Sequence, residues 1–227
     1  MISNLVTVII PVYNGEHYLG EAIKSVIAQT YRSIEIIVVD DGSTDASARL
    51  AQQFPVRYCF QPHSGSGAAR NYGVEQARGE FLAFLDADDL WMPEKLTRQI
   101  SAFTAQPELE AVFGQVEHFS SLDAESKAPF ARFEDTILNG LCAGAMLIRH
   151  AAFIRVGMFG THWNVDFVDW YLRAQEAELE FTSLPEVVMC RRVHTDNLTI
   201  RSRETVRTEY ILALKSALDR RRVRPGK

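Results

Sequence analysis

The residues of this 227-residue chain that are most able to do chemistry are acidic side chains placed after apolar, strand-like runs. Asp86, Asp88 and Asp89 directly follow Phe81–Leu85, and three carboxylates so close together repel one another unless a cation lies among them. Residues i and i+2 of an extended chain point to the same side, so Asp86 and Asp88 can converge. Carboxylates suit Mg²⁺ or Mn²⁺, which usually keep some waters and bind substrate phosphates. The alternative is an acidic helix amino terminus in which Asp89 caps a helix that begins near Pro93, and it explains one carboxylate better than three.

A second acidic segment, Asp40–Asp45 (DDGSTD), follows the apolar run Ile34–Val39. The carboxylate of Asp41 can accept hydrogen bonds from the N–H groups of a base or from ribose hydroxyls. The alternative is a capped turn, in which Ser43 caps the next helix and Asp45 favours the helix dipole. That alternative leaves Asp41 without a role.

Two glycine-containing segments bear on nucleotide binding. Pro11–Glu16 (PVYNGE) follows the first apolar run, where a dinucleotide-binding domain needs G-x-G-x-x-G, and that motif is absent. Tyr13 offers a flat face for a base, and the alternative is a simple Asn-Gly turn. Gly65–Arg70 begins like the dinucleotide motif, but Arg70 stands where close packing requires a third glycine. On the first turns of a helix, Arg70 can instead face a phosphate or a base carbonyl.

Two further acids, Asp166 and Asp169, lie in or beside the aromatic-rich segment Trp163–Tyr171. Partial desolvation would raise the pKa of such a carboxylate and make it a better proton acceptor near neutrality. The alternative, which the residues alone favour, is a helix cap for Asp166 and a solvated Asp169. His194 follows another apolar run, and an isolated histidine is more often structural than a ligand.

The elements that must position these residues alternate regularly in the first half of the chain. Strands are predicted at Leu5–Ile10, Ile34–Val39, Val56–Phe60, Phe81–Leu85 and Ala111–Phe119. Helices are predicted at Tyr18–Thr30, Ser43–Phe54, Ser66–Arg78 and Pro93–Ala105. This alternation indicates a mainly parallel sheet with helices on both faces, in which ligands bind at the carboxyl ends of the strands.

The second half is less regular. A loop is predicted at Ser120–Phe133, strands at Ala143–Ile148 and Glu186–Val193, and helices at Asp166–Ala177 and Thr205–Leu218. There is no internal repeat and no low-complexity linker, so a single domain is predicted for residues 1–227.

Composition places the chain among ordinary globular proteins. Apolar residues make up 47% and charged residues 23%, which excludes a disordered chain and a disulfide scaffold. The net charge of −5 disfavours nucleic-acid binding. Residues 191–227 nevertheless carry eleven Lys or Arg against four Asp or Glu. This end is either a solvated terminus or a point of weak attraction to an anionic membrane surface.

Cysteine usage and hydropathy indicate the compartment. Cys59, Cys142 and Cys190 are odd in number, widely spaced and without a CxxC pair, so a zinc site or disulfide framework is not expected and a reducing compartment fits. The amino terminus has no basic region before its apolar run, and no apolar stretch reaches the ~18 residues needed to span a bilayer. A cytoplasmic protein is predicted.

Taken in order, seven segments between Val6 and Thr199 resemble the family-2 glycosyltransferases of the GT-A fold. They are Val8–Glu16, Ile34–Asp45, Gly65–Gly73, Gly79–Asp89, Met146–Phe159, Asp169–Arg173 and Arg191–Thr199. The resemblance implies a Rossmann-like, three-layer α/β fold with a mainly parallel mixed sheet. It also implies one glycosyltransferase domain with a nucleotide-sugar-binding half (1–119), an acceptor and catalytic-base half (120–199), and a carboxyl-terminal helix with a basic tail (200–227).

The resemblance assigns donor-binding roles to individual residues. Pro11 and Tyr13 would line the nucleotide base, with Glu16 nearby, and Asp41 would accept a hydrogen bond from the base. Arg70 would lie near the base and the phosphates.

The resemblance also implies a metal site and a base. Asp86-Ala87-Asp88 looks like the D-x-D motif of the family, with Asp86 toward the ribose and Asp88 toward Mn²⁺ or Mg²⁺. His194 lies where some members place a residue near the metal or the diphosphate, so Asp86, Asp88 and His194 form the predicted metal site. Asp169 matches the catalytic base.

The implied reaction is an inverting, metal-dependent transfer of one sugar from a nucleotide-diphosphate donor, UDP-linked, to an unidentified acceptor. A glycan, a lipid-linked sugar, a peptide and a small molecule all remain open as acceptors. Val168 stands where the family often has Glu, which keeps Asp166 open as the base. No Q-x-x-R-W segment is present, which favours transfer of a single sugar over processive synthesis.

Two competing functions remain. A sugar-phosphate nucleotidyltransferase would share the sheet and the carboxylates, but it should show G-x-G-x-R after the first strand, where this chain has Pro11–Gly15. A nucleotide-sugar binding module without turnover is the other, and Val168 in place of Glu keeps that interpretation open.

Overall fold

The computed structural model describes residues 2–120, 131–132, 140–161, 165–194 and 203–223. Parts of three sequence-predicted features lie outside these ranges. They are most of the loop predicted at Ser120–Phe133, residues 195–199 of the last motif, and residues 224–227 of the basic tail.

A single mixed sheet forms the centre of the described structure. In chain order its strands are β1 Ile2–Val12, β2 Ile34–Asp40, β3 Arg57–Phe60, β4 Gly79–Phe84, β5 Leu90–Trp91, β6 Ala111–Ser120, β7 Ala131–Arg132, β8 Leu147–Arg149 and β9 Phe181–Val193. The strand order is β3-β2-β1-β4-β8-β6-β9-β5, and β7 pairs with β6. Strands β3, β2, β1 and β4 are parallel, as are β6 and β9, whereas β8, β5 and β7 pair antiparallel. The long pairings are the parallel ones, so the predicted mainly parallel mixed sheet is confirmed.

Helices cover both faces of this sheet. They are α1 Leu19–Ile27, α2 Ser47–Ala51, α3 Ser66–Gln76, α4 Lys95–Ala105, α5 His150–Val156, α6 Asp166–Glu176 and α7 Arg203–Val223, with a 3₁₀ turn at Ala143–Ala145. Because side chains alternate along a strand, Val8 and Ile10 of β1 pack against α1 and α4, while Ile9 packs on the other face with α3, α5 and α6. The result is the three-layer arrangement that the resemblance implied.

Two of the predicted helix starts are wrong, for the same reason. The predicted cap Ser43 accepts a hydrogen bond from the backbone N–H of Asn14 at 2.9 Å, and α2 begins only at Ser47 without a side-chain cap. Likewise α4 begins at Lys95 rather than Pro93, and Asp89 does not cap it. In both places the capping side chain is engaged by a different segment.

The second half contains elements that periodicity did not reveal. The strand predicted at Ala143–Ile148 is a 3₁₀ turn followed by the short strand β8, and α5 starts immediately after it at His150. Ala131 and Arg132 of the predicted loop pair with β6. Elements of two to seven residues are too short to show a repeating pattern, so their conformation depends on the strands and helices that they contact.

A lysine is fully buried in the core behind the acidic segment. Lys95 Nζ donates to Gln99 Oε1 at 2.7 Å and lies 4.3 Å from the centroid of the Trp91 ring. Gln99 in turn donates to the backbone carbonyls of Val112 and Ala145, each at 2.8 Å. This cluster joins α4 to β5 and, through Gln99, to β6 and the 3₁₀ turn at Ala143–Ala145.

Burial lowers the pKa of Lys95 to about 7. In the unfolded chain the ordinary value is 10.5, so between about pH 7 and 10.5 the unfolded state holds a proton that the folded state has released. Stability rises with pH wherever the unfolded state binds more protons. The free energy of unfolding of the wild type should therefore rise from pH 7 to about pH 9.5 relative to that of Lys95→Met, as measured by urea denaturation.

Lys24, which is exposed on α1, is the matched control, and Lys24→Met should leave the pH dependence unchanged. A Lys95→Met curve that stays parallel to the wild-type curve across this range would contradict the burial argument.

Candidate active site

The loops that follow β1, β2 and β4 lie together at the carboxyl edge of the sheet. Strand register pairs Val12 of β1 with Asp40 of β2, and Ile9 of β1 with Phe84 of β4. The chain therefore leaves these three strands side by side, which is where ligands bind in open α/β sheets.

The first two of these loops are bonded to each other. Besides the bond from Asn14 to Ser43, the N–H of Glu16 donates to Asp45 Oδ2 at 2.9 Å. The carboxylate of Glu16 accepts the N–H of Ala46 at 2.8 Å. Glu16 thus lies at the predicted edge, where its contacts hold the loop after β1 against the loop after β2.

Asp41 is buried and organises the loop that follows β3. Its carboxylate accepts hydrogen bonds from Gln61 Nε2 at 2.6 Å and from the N–H groups of Ser64 and Gly65, each at 2.8 Å. His63 Nδ1 lies 2.8 Å from Asp41 Oδ2. These bonds give Asp41 a structural role that helix capping did not provide. Through them Asp41 links the end of β2 to the loop after β3 at the carboxyl edge of the sheet.

An aromatic pair stands beside Asp41. Tyr13 is 50% exposed, and its ring stacks on that of His63 with centroids 4.0 Å apart. Pro11 is buried in β1 just before it. A flat, exposed ring next to a buried carboxylate is an arrangement to which a nucleobase could bind.

Arg70 joins the two halves of the chain through an ion triad in which Arg70 and Asp166 are buried and Asp86 is partly exposed. One Nη group donates to Asp86 Oδ1 at 2.5 Å, and the other bonds to Asp166 at the start of α6. The amino terminus of α3 approaches closely here, since a side chain at Gly67 would lie 2.4 Å from the carbonyl oxygen of Gly160. The absence of a side chain at Gly67 therefore lets the start of α3 pack against the backbone at Gly160. This packing brings Arg70, one turn further along α3, within reach of Asp86 and Asp166.

The two carboxylates of the triad respond differently. Burial raises the pKa of Asp166 above its usual range despite the opposing charge of Arg70. Desolvation also opposes ionisation of Asp86, but Arg70 outweighs it and holds the pKa of Asp86 below its ordinary value. For Arg70, burial lowers the pKa, but the two carboxylates outweigh it and the net shift is upward, so the guanidinium stays charged.

The other two acids of the segment face β9. Asp88 Oδ2 lies 3.0 Å from His194 Nε2, and Asp89 accepts the backbone N–H of Arg192 at 2.9 Å. Burial, with the charges of Asp88 and Asp86, raises the pKa of Asp89 well above its usual range. His194 follows β9, as predicted, and the structure brings it against Asp88.

Arg192 is a site residue that the sequence did not single out. Its Nε donates to the carbonyl of Asp88 at 2.9 Å, and Nη2 donates to Glu21 at 2.5 Å. The guanidinium lies 4.5 Å from the centroid of the Tyr18 ring and 4.7 Å from that of Phe119. It therefore fixes the backbone of the D-x-D segment. His63, three residues after β3, was also missed, and the only local signal for Arg192 was its position near the end of a predicted strand.

Asp169 lies one turn after Asp166 on α6. Arg173 Nε donates to its Oδ2 at 3.0 Å, and Arg220 of α7 donates to its Oδ1 at 3.3 Å. The Asp169 side chain is 15% exposed against 6% for Asp166. Both carboxylates thus stand at the start of the same helix, but Asp166 holds Arg70 whereas Asp169 contacts α6 and α7.

The donor set fits a divalent cation that has two protein ligands. Among the described residues, no group of three or more His, Cys, Asp or Glu side chains forms a closed metal cluster. Asp88 and His194 do lie together, and Mg²⁺-type sites are often held by one or two carboxylates plus substrate phosphates. Asp86, the third predicted ligand, is engaged by Arg70 here.

Comparison with known proteins places the chain in a family. The model of Glycosyl transferase family 2 matches residues 7–163, so the chain belongs to this family. An uncharacterized glycosyltransferase of Rickettsia typhi is 33% identical over 215 residues, covering 87% of this chain and 66% of that protein. One from Nostoc is 44% identical over 128 residues, covering 54% and 38%. The chain thus spans just under two thirds of the first relative and a smaller part of the second.

Solved structures share the fold. S. aureus TarS in complex with UDP-GlcNAc superposes with a TM-score of 0.74 at 20% identity, over 94% of this chain and 65% of that one. The mannosyltransferase PcManGT from Pyrobaculum calidifontis, in complex with GDP-Man and Mn²⁺, gives 0.70 at 20% identity over 98% and 65%. The predicted GT-A fold is confirmed.

Removing Arg70 tests its buried pairing with Asp166. Arg70→Met should lower the free energy of unfolding by about 3–5 kcal/mol, because it leaves the carboxylate of Asp166 buried without a counter-charge. Urea denaturation at pH 7 measures the loss.

A second substitution identifies the carboxylate responsible. Asp166→Asn added to Arg70→Met should recover much of the stability. Asp86→Asn is the matched control and should recover little, because the Asp86 side chain is 47% exposed. Equal recovery by both, or no loss in Arg70→Met, would show that Asp166 does not need its cation.

Proposed function

We propose that the protein is a glycosyltransferase, of hexosyltransferase type, that moves a single sugar with inversion from a UDP-linked donor to an acceptor. The observation that carries this proposal is the convergence of the Tyr13 face, the Arg70–Asp86 pair and the Asp88–His194 pair at one edge of the sheet. Membership of Glycosyl transferase family 2 supports it. Relatives of the same fold bind UDP-GlcNAc and GDP-Man.

The donor is proposed to lie along the carboxyl edge. Pro11 and Tyr13 line the base, with Glu16 nearby. Asp41 accepts a hydrogen bond from the base, and this requires one of its present donors, such as the Gln61 amide, to give way. Arg70 faces the phosphates while it remains paired with Asp166.

Asp88 and His194 would hold a divalent cation, Mn²⁺ or Mg²⁺, with Asp86 toward the ribose or the metal. When bound, the cation would neutralise the charge that develops on the departing diphosphate, acting as a Lewis acid. Arg192 would keep the Asp88 backbone in place, since it bonds the Asp88 carbonyl directly. The Mn²⁺ present in the PcManGT complex is consistent with such a site.

The base is proposed to be Asp169. The acceptor hydroxyl is a weak nucleophile, so a carboxylate must remove its proton as it attacks C1 of the sugar. Asp166 is committed to Arg70 and to the N–H of Phe167, whereas Asp169 is more accessible. The paired arginines, Arg173 and Arg220, orient the carboxylate. Asp166 then serves as a positioning residue for Arg70.

The acceptor, the partners and the compartment also belong to this proposal. The acceptor is a glycan, a lipid-linked sugar, a peptide or a small molecule, and nucleic acid is not a partner. We infer a cytoplasmic location and a weak peripheral contact of the basic carboxyl terminus with a membrane. In the described part of the chain, no helix is both long and apolar enough to cross a bilayer.

Donor and metal are tested together. A thermal-shift screen of UDP, GDP, dTDP and CDP, with and without Mn²⁺ or Mg²⁺, should show the largest shift for UDP with Mn²⁺. A ligand that binds only the folded state stabilises it by about 2.7 kcal/mol at a hundredfold excess over its Kd. Asp88→Ala should abolish the metal-dependent part of UDP binding in calorimetry, since it removes the only carboxylate placed against His194 among the described residues.

Asp219→Ala, which removes an exposed carboxylate on α7, is the control and should bind UDP like the wild type. Unchanged Mn²⁺-linked UDP affinity in Asp88→Ala would overturn the metal assignment.

The base is tested by transfer assays. Asp169→Asn should leave UDP binding intact and reduce transfer by about 10²–10⁴-fold, the usual effect of losing a general base. Glu176→Gln is the matched control because Glu176 shares Arg220 but lies two turns further along α6. Retained transfer in Asp169→Asn together with a large loss in Asp166→Asn would move the base to Asp166. Donor binding without measurable turnover in the wild type would favour a binding module instead.

A further inference from the structure

The outward face of the last helix, α7, exposes more apolar surface than the rest of the described structure leads one to expect. Of the eleven exposed large hydrophobic residues in the described part of the chain, five lie on this one helix. Among them Ile211, Leu214 and Leu218 are 59%, 49% and 55% exposed. Their spacing of three and four residues places them on one face of a helix. We call these three residues the α7 stripe.

The opposite face of α7 holds the helix to the domain. Ala213 and Ala217 are buried, and Arg220 bonds to Asp169 and Glu176 of α6. The stripe therefore points away from the domain. Its orientation follows from contacts that the helix already makes.

Basic side chains flank the stripe. Arg207 and Lys215 lie one turn before and one turn after Ile211, and Arg222 lies one turn after Leu218, all of them exposed. Of the described acidic side chains on α7, Asp219 is the one near this end, and it forms only a loose 3.7 Å pair with Arg222. These basic residues share the face of the stripe, and long basic side chains can lay their aliphatic stems along apolar surface while their charges reach the lipid headgroups.

We propose that the α7 stripe and its flanking basic residues dock the protein on an anionic lipid surface. Charge decides the occupant. Pairing the stripe with a second copy would bring the basic residues of both copies together, whereas an anionic bilayer attracts each of them. Because α7 packs on α6, docking would hold Asp169 within about one helix diameter, ~10–12 Å, of the lipid surface. The docking rests on the membrane contact of the carboxyl terminus proposed above and gives it a site, whereas its test is independent of the proposed sugar transfer.

Vesicle sedimentation of the 227-residue chain tests the proposal. The protein should bind phosphatidylcholine vesicles that contain about a third phosphatidylglycerol at least tenfold more tightly than pure phosphatidylcholine, and the difference should shrink with added salt. Leu214→Ser/Leu218→Ser should weaken binding at least tenfold, and Arg207→Glu/Lys215→Glu should remove the preference for anionic vesicles.

Leu212→Ser is the matched control, because Leu212 is 43% exposed but lies about 100° around the helix from Ile211. It should bind vesicles like the wild type, and thermal melting should show that all variants stay folded. Absence of binding to anionic vesicles, or an equal loss in Leu212→Ser, overturns the proposal. A dimer in sedimentation velocity that Leu214→Ser/Leu218→Ser abolishes would assign the stripe to a second copy instead.

Discussion

The buried guanidinium of Arg70 is the interaction on which the site depends. It reaches Asp86 after β4 and Asp166 at the start of α6, residues that are eighty positions apart in the chain. A buried cation is costly unless its partners are in place. The fold therefore cannot bury Arg70 without bringing the segment after β4 and the start of α6 into one geometry, and the Arg70 pairs couple the stability of the fold to the assembly of the candidate site.

A second set of contacts holds the same acidic segment from the opposite side. Arg192 near the end of β9 donates a side-chain hydrogen bond to the carbonyl of Asp88, and its backbone N–H donates to the carboxylate of Asp89. Lys95 and Gln99, which follow in the sequence, are bonded to each other in the core. The D-x-D segment is thus bonded to Arg70 of α3 through Asp86 and to Arg192 of β9 through Asp88. A site held from two sides loses little entropy when a ligand binds, which is the advantage of preorganisation.

What the sequence could predict follows from the length of each signal. Strands buried on both faces show continuous apolar runs, and β2 was predicted to within one residue and β1 to within three. The polar residues after them could then be assigned to one sheet edge. The cap at Ser43 failed because its hydroxyl bonds to a loop thirty residues away, and Arg192 was missed because nothing in its neighbourhood shows that Asp88 lies above it. Local sequence patterns identify helices and strands, but the hydrogen-bond partner of a polar side chain is often distant in sequence and cannot be predicted from its neighbours.

The three acids of the D-x-D segment show how long-range contacts resolve a local conflict. Adjacent carboxylates would repel one another, yet each meets a different environment. The positive charge of Arg70 balances the negative charge of Asp86 and lowers its pKa, so Asp86 stays ionised. Burial raises the pKa of Asp89 and so favours its protonated form. Asp88 is left beside the imidazole of His194 with 30% of its side chain exposed. The three acids are therefore not three equal, competing charges, which explains why a run of acids can be stable before any metal or diphosphate binds.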